Sequence, residues 1–288
     1  MRYSISVPNF GEFADPRAFA ELARRAEAAG WDAVWVWDHV VHERRRQRVV
    51  ADPWILLAAA GLATERVLLG PMVTPLGRRR PGKLAREVTT LDHLTGGRIV
   101  LGVGLGAPIE DEFGRFGEPT APRVIAERLD ESLDALTLLW TGEPVTYKGK
   151  HVTLDDVVFR PTPVQRPRVP VWVAGRWPNR APMRRAARWD GVTPLFPGDE
   201  RGTPPEASEV REMVDLLASH RADLDRAGAP FDVVVGGTSP AGREGADLVA
   251  PLAEAGGTWW DERIPLAGPD LERLDPMLSR VDEGPPRG

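Results

Sequence analysis

The chain repeats one unit: an apolar, β-branched run, a glycine or polar turn, then a stretch of helical period. This alternation constrains the fold more than any other feature, because neighbouring parallel strands need a long crossover and a helix supplies it. Residues 89–106, TTLDHLTGGRIVLGVGLG, carry the joint most clearly. Leu91 and Leu94 lie three apart on one helical face, and Gly96-Gly97 is a helix stop. Residues 99–103 form an apolar run short enough for a strand. Gly102, Gly104 and Gly106 then remove side chains at the strand end, where a ligand must approach or the chain must bend.

Strands are expected at 3–7, 32–36, 66–73, 99–103, 171–174, 191–193, 231–235 and 258–260. Helices are expected at 16–29, 53–63, 81–94, 124–140, 179–188, 206–227, 241–255 and 271–281. Asp15 and Asp52 are expected caps, and Pro16 and Pro81 suit first turns. Around 144–168 the repeat is interrupted by two short strands about Lys148-Gly149-Lys150 and a proline-rich connector. The loop 196–205 is too long for a simple connection and reads as a lid or a disordered segment. The expected fold is a (β/α)8 TIM barrel in one domain spanning 1–288, with an open doubly wound sheet as the alternative.

Composition bears on location and partners. There is no cysteine, hence no disulfide framework and no thiolate chemistry. The start, MRYSISVPNF, has no signal-peptide core, so the cytoplasm is the expected location. Residues 196–288 carry 9 Lys+Arg against 19 Asp+Glu, which leaves the cations to the first two thirds. Three arginine groups fall in loops after strands: Arg44, Arg45, Arg46 and Arg48; Arg78, Arg79 and Arg80; Arg176 and Arg180. Together they favour an anionic small molecule; nucleic acid and membrane are not expected partners.

In a barrel of this kind, function collects where strands end. That criterion selects Asn9, Phe10, Asp38, His39, Thr74, Gly104, Gly106, Gly175, Arg176, Phe196 and Glu262. His39 follows a strand directly beside Asp38, and histidine exchanges a proton near neutral pH. Packing alone is the competing reading of such a histidine. GVGLG lacks the spacing of the dinucleotide fingerprint, and Gly175 before a helix is a better phosphate seat. The remaining histidines offer no metal set.

At these residues the chain resembles the bacterial luciferase-like flavin and deazaflavin oxidoreductases. The match is carried by AREVTTLDHLTGGRIVLGVGLG, AELARRAEAAGWDAVWVWDH, FGRFG and VPVWVAGRWPNRAPMRRAARWDGV. The resemblance implies a flavin-type ring at the C-terminal mouth: the deazaflavin coenzyme F-420, or FMN as the alternative. It implies that Asp38 and His39 lie at the ring, His39 moving a proton and Asp38 orienting it. Val73-Thr74 matches a position of a non-proline cis peptide, Gly104 and Gly106 would give the ring room, and Gly175 and Arg176 would hold the phosphate. The arginine loops fit an oligoglutamate tail. Glu262 is a second acid/base candidate. Hydride transfer to or from a small organic substrate is the implied activity. An FMN monooxygenase and a non-catalytic flavin-binding barrel are the alternatives. A homodimer through helices 53–63 and 81–94, and a reductase supplying reduced cofactor, are the implied partners.

Overall fold

The computed structural model describes residues 1–287. Its elements follow in chain order: β1 (Arg2–Val7), α1 (Pro16–Ala28), β2 (Ala33–Val36), α2 (Pro53–Ala63), β3 (Leu68–Pro71), β4 (Thr74–Pro75), α3 (Pro81–Thr95), β5 (Leu101–Gly104), α4 (Ile109–Glu112) and α5 (Pro122–Leu139). The second half contains β6 (Pro144–Lys148), β7 (Thr153–Val158), β8 (Val171–Arg176), α6 (Arg180–Ala186), β9 (Gly191–Leu195), α7 (Ala207–Asp223), β10 (Asp232–Gly237), α8 (Gly242–Glu254), β11 (Trp259–Arg263) and α9 (Leu274–Asp282).

Nine strands run in the order β3-β2-β1-β11-β10-β9-β8-β5-β4. A parallel bridge between Leu69 and Ile99 joins the ends. The expected third strand is therefore one stave broken in two: β3 pairs with β2, and β4 pairs with β5. The break falls at a cis peptide between Met72 and Val73, one bond before the expected Val73-Thr74. Counting β3 and β4 together, the TIM barrel has eight staves.

The helices obey the local signals. Asp15 and Asp52 accept from backbone amides of α1 and α2, each with proline in the first turn. Gly96 ends α3 at φ +66°, a conformation costly for any residue with a Cβ. The β6–β7 hairpin is antiparallel and hangs on α5, where Glu131 accepts from the amides of Lys150, His151 and Val152 at 2.7–2.9 Å.

Alternation along the staves sorts the core into two layers. Outward residues, such as Val34, Leu101 and Trp260, join the helices in one large cluster. Inward residues Ala33, Trp35, Val100, Trp172, Val234 and Trp259 fill the barrel centre. Trp35, Trp172 and Trp259 meet with ring centroids 5.3–5.9 Å apart. Each buried indole is worth on the order of 4 kcal/mol of transfer free energy. This plug closes the lower barrel and leaves the C-terminal mouth as the accessible end.

The 196–205 loop is ordered. Phe196 is buried, Asp199–Arg201 form a 3-10 turn, and Thr238 donates from its amide and its hydroxyl to the Gly202 carbonyl. Asp199 is also paired with Arg263, 3.1 Å away, which fastens the loop to β11. Among the described residues no helix is long and apolar enough to cross a membrane.

Candidate active site

His39 lies three residues beyond β2 and is held from both sides. Its backbone is fixed by Asn9, which donates to the His39 carbonyl at 2.8 Å and accepts from the His39 amide at 3.2 Å. Its ring Nδ1 meets Glu112 Oε1 at 2.9 Å. Glu112 has a fully buried side chain, and its Oε2 takes the Val40 amide at 3.0 Å and lies 3.2 Å from Arg78. Nδ1 therefore carries the proton toward the carboxylate, and Nε2 is the nitrogen left for exchange. Trp37 and Phe10 wall the ring, with centroids 6.0 and 6.1 Å away.

Sequence reasoning missed Glu112. It sits in the four-residue α4, inside the long connection after β5, with no periodicity to mark it. The only signal is a cluster of acids, IEDE, which reads as a solvated loop.

Asp38, expected to orient His39, faces elsewhere. Its carboxylate accepts from Thr74 Oγ1 at 2.8 Å, Arg78 at 2.9 Å and Arg79 at 2.8 and 2.9 Å. Burial opposes its ionisation, but Arg79 and Arg78, with Thr74, outweigh that and hold the carboxyl below the usual carboxylate range. Asp38 thus ties the β2 end to the β4–α3 loop, and the orienting acid is Glu112. Thr74 belongs to this tie.

Glu262 is also corrected. β11 runs on to Arg263, so Glu262 is within the strand and, like Trp260, faces the helices. Its carboxylate accepts from the Ser239 amide and hydroxyl, Trp260 Nε1 and Arg280, at 2.6–3.1 Å. It clamps the β10–α8 turn and α9 to the barrel and has no access to the mouth.

The glycines pack protein. A Cβ on Gly104 would fall 2.7 Å from Val73, and one on Gly106 would fall 2.8 Å from Pro75. The missing side chains let the broken stave fold across β5. Val73 then sits over Gly104 with Ala174 next to it, and Met72, Val73 and Ala174 are half-buried at the strand ends. Gly175 is similarly close to Pro182 of α6, where a Cβ would lie 2.2 Å from that ring.

The arginines divide. Arg48, Arg78 and Arg79 are consumed by protein carboxylates: Arg48 by Glu43 and Glu272, and the other two by Asp38. Arg44 and Arg46 reach Asp111 and Glu43. Arg45, Arg80, Arg176 and Arg180 stay exposed, without a carboxylate partner among the described residues. A cleft of about 220 Å³ lies against Arg79, Arg80 and Lys83. Among the described residues no group of three or more His, Cys, Asp or Glu is placed to hold a metal.

His42 stacks on Phe10 at 4.9 Å and lies 4.4 Å from the His39 ring. Its Nδ1 accepts from Arg48 at 2.6 Å. Burial, then His39 and Arg48, lower its pKa to about 4. An unfolded histidine titrates near ~6.5, so the unfolded chain takes up the proton first and the stabilisation present above that pH is lost as pH falls toward about 4. With partial exposure discounted, the loss from about pH 7 to about pH 5 should be about 1 kcal/mol. Urea unfolding of the wild type and His42→Asn at both pH values checks this. The stability gap should narrow at the lower pH, and a gap that does not change contradicts it.

The geometry is a polar-rimmed mouth over a closed barrel, with one histidine poised by a buried acid. Comparison with known proteins agrees with the barrel fold. The sequence pattern of the luciferase-like monooxygenase family matches residues 1–257. An F-420-dependent glucose-6-phosphate dehydrogenase of Amycolatopsis mediterranei is 35% identical over 233 residues, 78% of this chain and 66% of that protein. The chain spans 52–69% of the length of this and similar curated relatives. In fold it is similar to the F-420-dependent tetrahydromethanopterin reductase of Methanopyrus kandleri, with a TM-score of 0.76, 17% identity and 98% of each chain covered. It is likewise similar to a monooxygenase of Streptomyces bottropensis, with a TM-score of 0.71, 22% identity and 98% of each chain covered. The chain belongs to the luciferase-like monooxygenase family.

Proposed function

We propose that the protein is an oxidoreductase that uses coenzyme F-420 to move a hydride between the coenzyme and a small organic alcohol or its carbonyl product. The observation that carries this reading is the His39 ring, fixed through Nδ1 by buried Glu112 with Nε2 left for exchange. The coenzyme, when bound, supplies a ring carbon that accepts or gives up the hydride. In the oxidising direction Nε2 of His39 takes the hydroxyl proton, and Glu112 balances the imidazolium that results. Asn9 keeps the ring at its station, and Trp37 and Phe10 keep water from it.

The residues at the mouth suit the group. Met72, Val73 and Ala174 offer an apolar ledge for a planar ring. Arg176 and Arg180 would meet a phosphate, and exposed Arg45 and Arg80 suit the carboxylates of a tail that FMN lacks. The relatives named for F-420 support the same choice. Titrating the purified chain with F-420 and with FMN, at low and high salt, tests it. F-420 should bind at least tenfold tighter at low salt and lose most of that margin at high salt. A preference for FMN would instead favour the monooxygenase reading, whose turnover requires oxygen.

A homodimer is proposed through α2, which is apolar on nearly every side. Ile55 and Leu62 are 61% and 75% exposed, and Leu94 of α3 extends the patch. Leu62→Glu should convert a dimer to a monomer in analytical ultracentrifugation. A wild-type monomer at micromolar concentration would refute the proposal.

A further inference from the structure

Charged side chains also gather inside the barrel mouth, apart from His39. By strand alternation Asp261 and Arg263 of β11 point inward, as does Ser4 of β1. Ser4 Oγ donates to Asp261 Oδ1 at 2.8 Å, and Arg263 Nε donates to Asp261 Oδ2 at 2.8 Å. Arg263 Nη1 then reaches Asp199 Oδ2, at 3.1 Å, on the loop after β9. Facing them on β10, Gly236 has no side chain; a Cβ there would lie 2.4 Å from Arg263 Nε. The guanidinium can lie against the strand only because that position is glycine. The side chains of Asp261, Asp199 and Arg263 are 1%, 9% and 11% exposed, so the guanidinium keeps the largest share of open surface.

This cluster and His39 share the mouth. Ser6 pairs in register with both Trp35 and Arg263, and its hydroxyl accepts from Trp37 Nε1 at 3.1 Å. Trp37 in turn packs beside His39. β2 and β11 flank β1, so the two groups stand on strands about two spacings, or roughly 10 Å, apart on the same rim.

The charge balance decides what can sit there. One buried cation lies between two carboxylates; Arg176 of β8 also acts on Asp199, but it is exposed to solvent and is left to the coenzyme phosphate. Burial pushes both Asp199 and Asp261 upward, against the pull of Arg263. With both acids ionised the trio carries one net negative charge, and with one protonated it is neutral. Neither state has positive charge to spare for an anion stripped of its water. A neutral oxygen can accept from the guanidinium, and a hydroxyl can donate to a carboxylate, without that charge cost.

We propose, building on the F-420 oxidoreductase reading, that Asp199, Arg263 and Asp261 receive an uncharged, hydroxyl- or carbonyl-bearing part of the substrate and turn away phosphorylated or carboxylated molecules. Arg263 is a specificity-determining residue, and the loop after β9 helps set that specificity through Asp199.

Inorganic phosphate is the probe, titrated by calorimetry into the full-length chain. Wild type and Arg263→Met should bind it alike, because whatever anion affinity the wild type has lies elsewhere. Asp199→Asn/Asp261→Asn frees the guanidinium and should bind at least tenfold tighter, with the gain cancelled by adding Arg263→Met. If the double variant does not fold, as judged by circular dichroism, Asp199→Asn/Asp261→Ser, which keeps a hydroxyl beside Ser4 and Arg263, takes its place with the same expected gain. Wild-type phosphate binding that Arg263→Met removes would overturn the proposal, as would a folded variant with no gain. A separate F-420 titration tests the underlying reading: failure there removes the oxidoreductase assignment, whereas the phosphate series reports the charge of the cluster by itself.

Discussion

His39→Ala should lower kcat by about 10³-fold while coenzyme binding changes less than about threefold. The ring lies at the mouth with Nδ1 committed to Glu112, so its removal deletes proton exchange and little of the binding surface. Glu112→Gln should cost on the order of 10² in kcat, because the ring loses both its orienting acceptor and the charge that balances its protonated form. The two losses should not add, since both variants disable one unit. Stopped-flow turnover at saturating coenzyme, with binding followed separately, checks this. Unchanged turnover in His39→Ala would remove the histidine from the chemistry, and a fully additive double variant would uncouple Glu112 from it.

The largest stability effect belongs to Asp38. Arg78 and Arg79 have side chains only 7% and 16% exposed, and both lean on the Asp38 carboxylate. Asp38→Ala leaves two guanidiniums with much of their compensation gone, at a cost of about 3–5 kcal/mol. For a chain of this size that is roughly a 5–8 °C fall in Tm. Asp38→Asn keeps the shape and a partner for Thr74 and should lose about half as much. Calorimetry of both variants measures it; a fall of less than about 2 °C in Asp38→Ala would mean that the guanidiniums find other partners. The carboxyl is held below its ordinary range, so its stabilisation is present above a pH of about 3.9 and lost as the solution is acidified further.

Much of the barrel is legible in the sequence because strands and helices have different periods, and that difference survives without tertiary knowledge. The hairpin is legible from its break in the repeat. The divided third stave is not, because its two halves read as one apolar run and only the pairing with β2 and β5 separates them. His39 is legible by position, directly after a strand. Glu112 is not, because the contact spans 73 residues and its helix is a single turn. Glu262 misleads because Trp259 and Trp260 are both buried, so alternation alone does not say which parity faces the barrel centre. The arginine loops mislead in a related way: their carboxylate partners, among them Asp38 and Glu272, are far away in sequence.

The tryptophan plug has a further consequence. With Trp35, Trp172 and Trp259 stopping the lower barrel, the interior is a blind vessel and not a conduit. Whatever reaches His39 arrives and departs through one doorway. Where one reactant lies deeper than another behind a single doorway, it has to enter first and leave last.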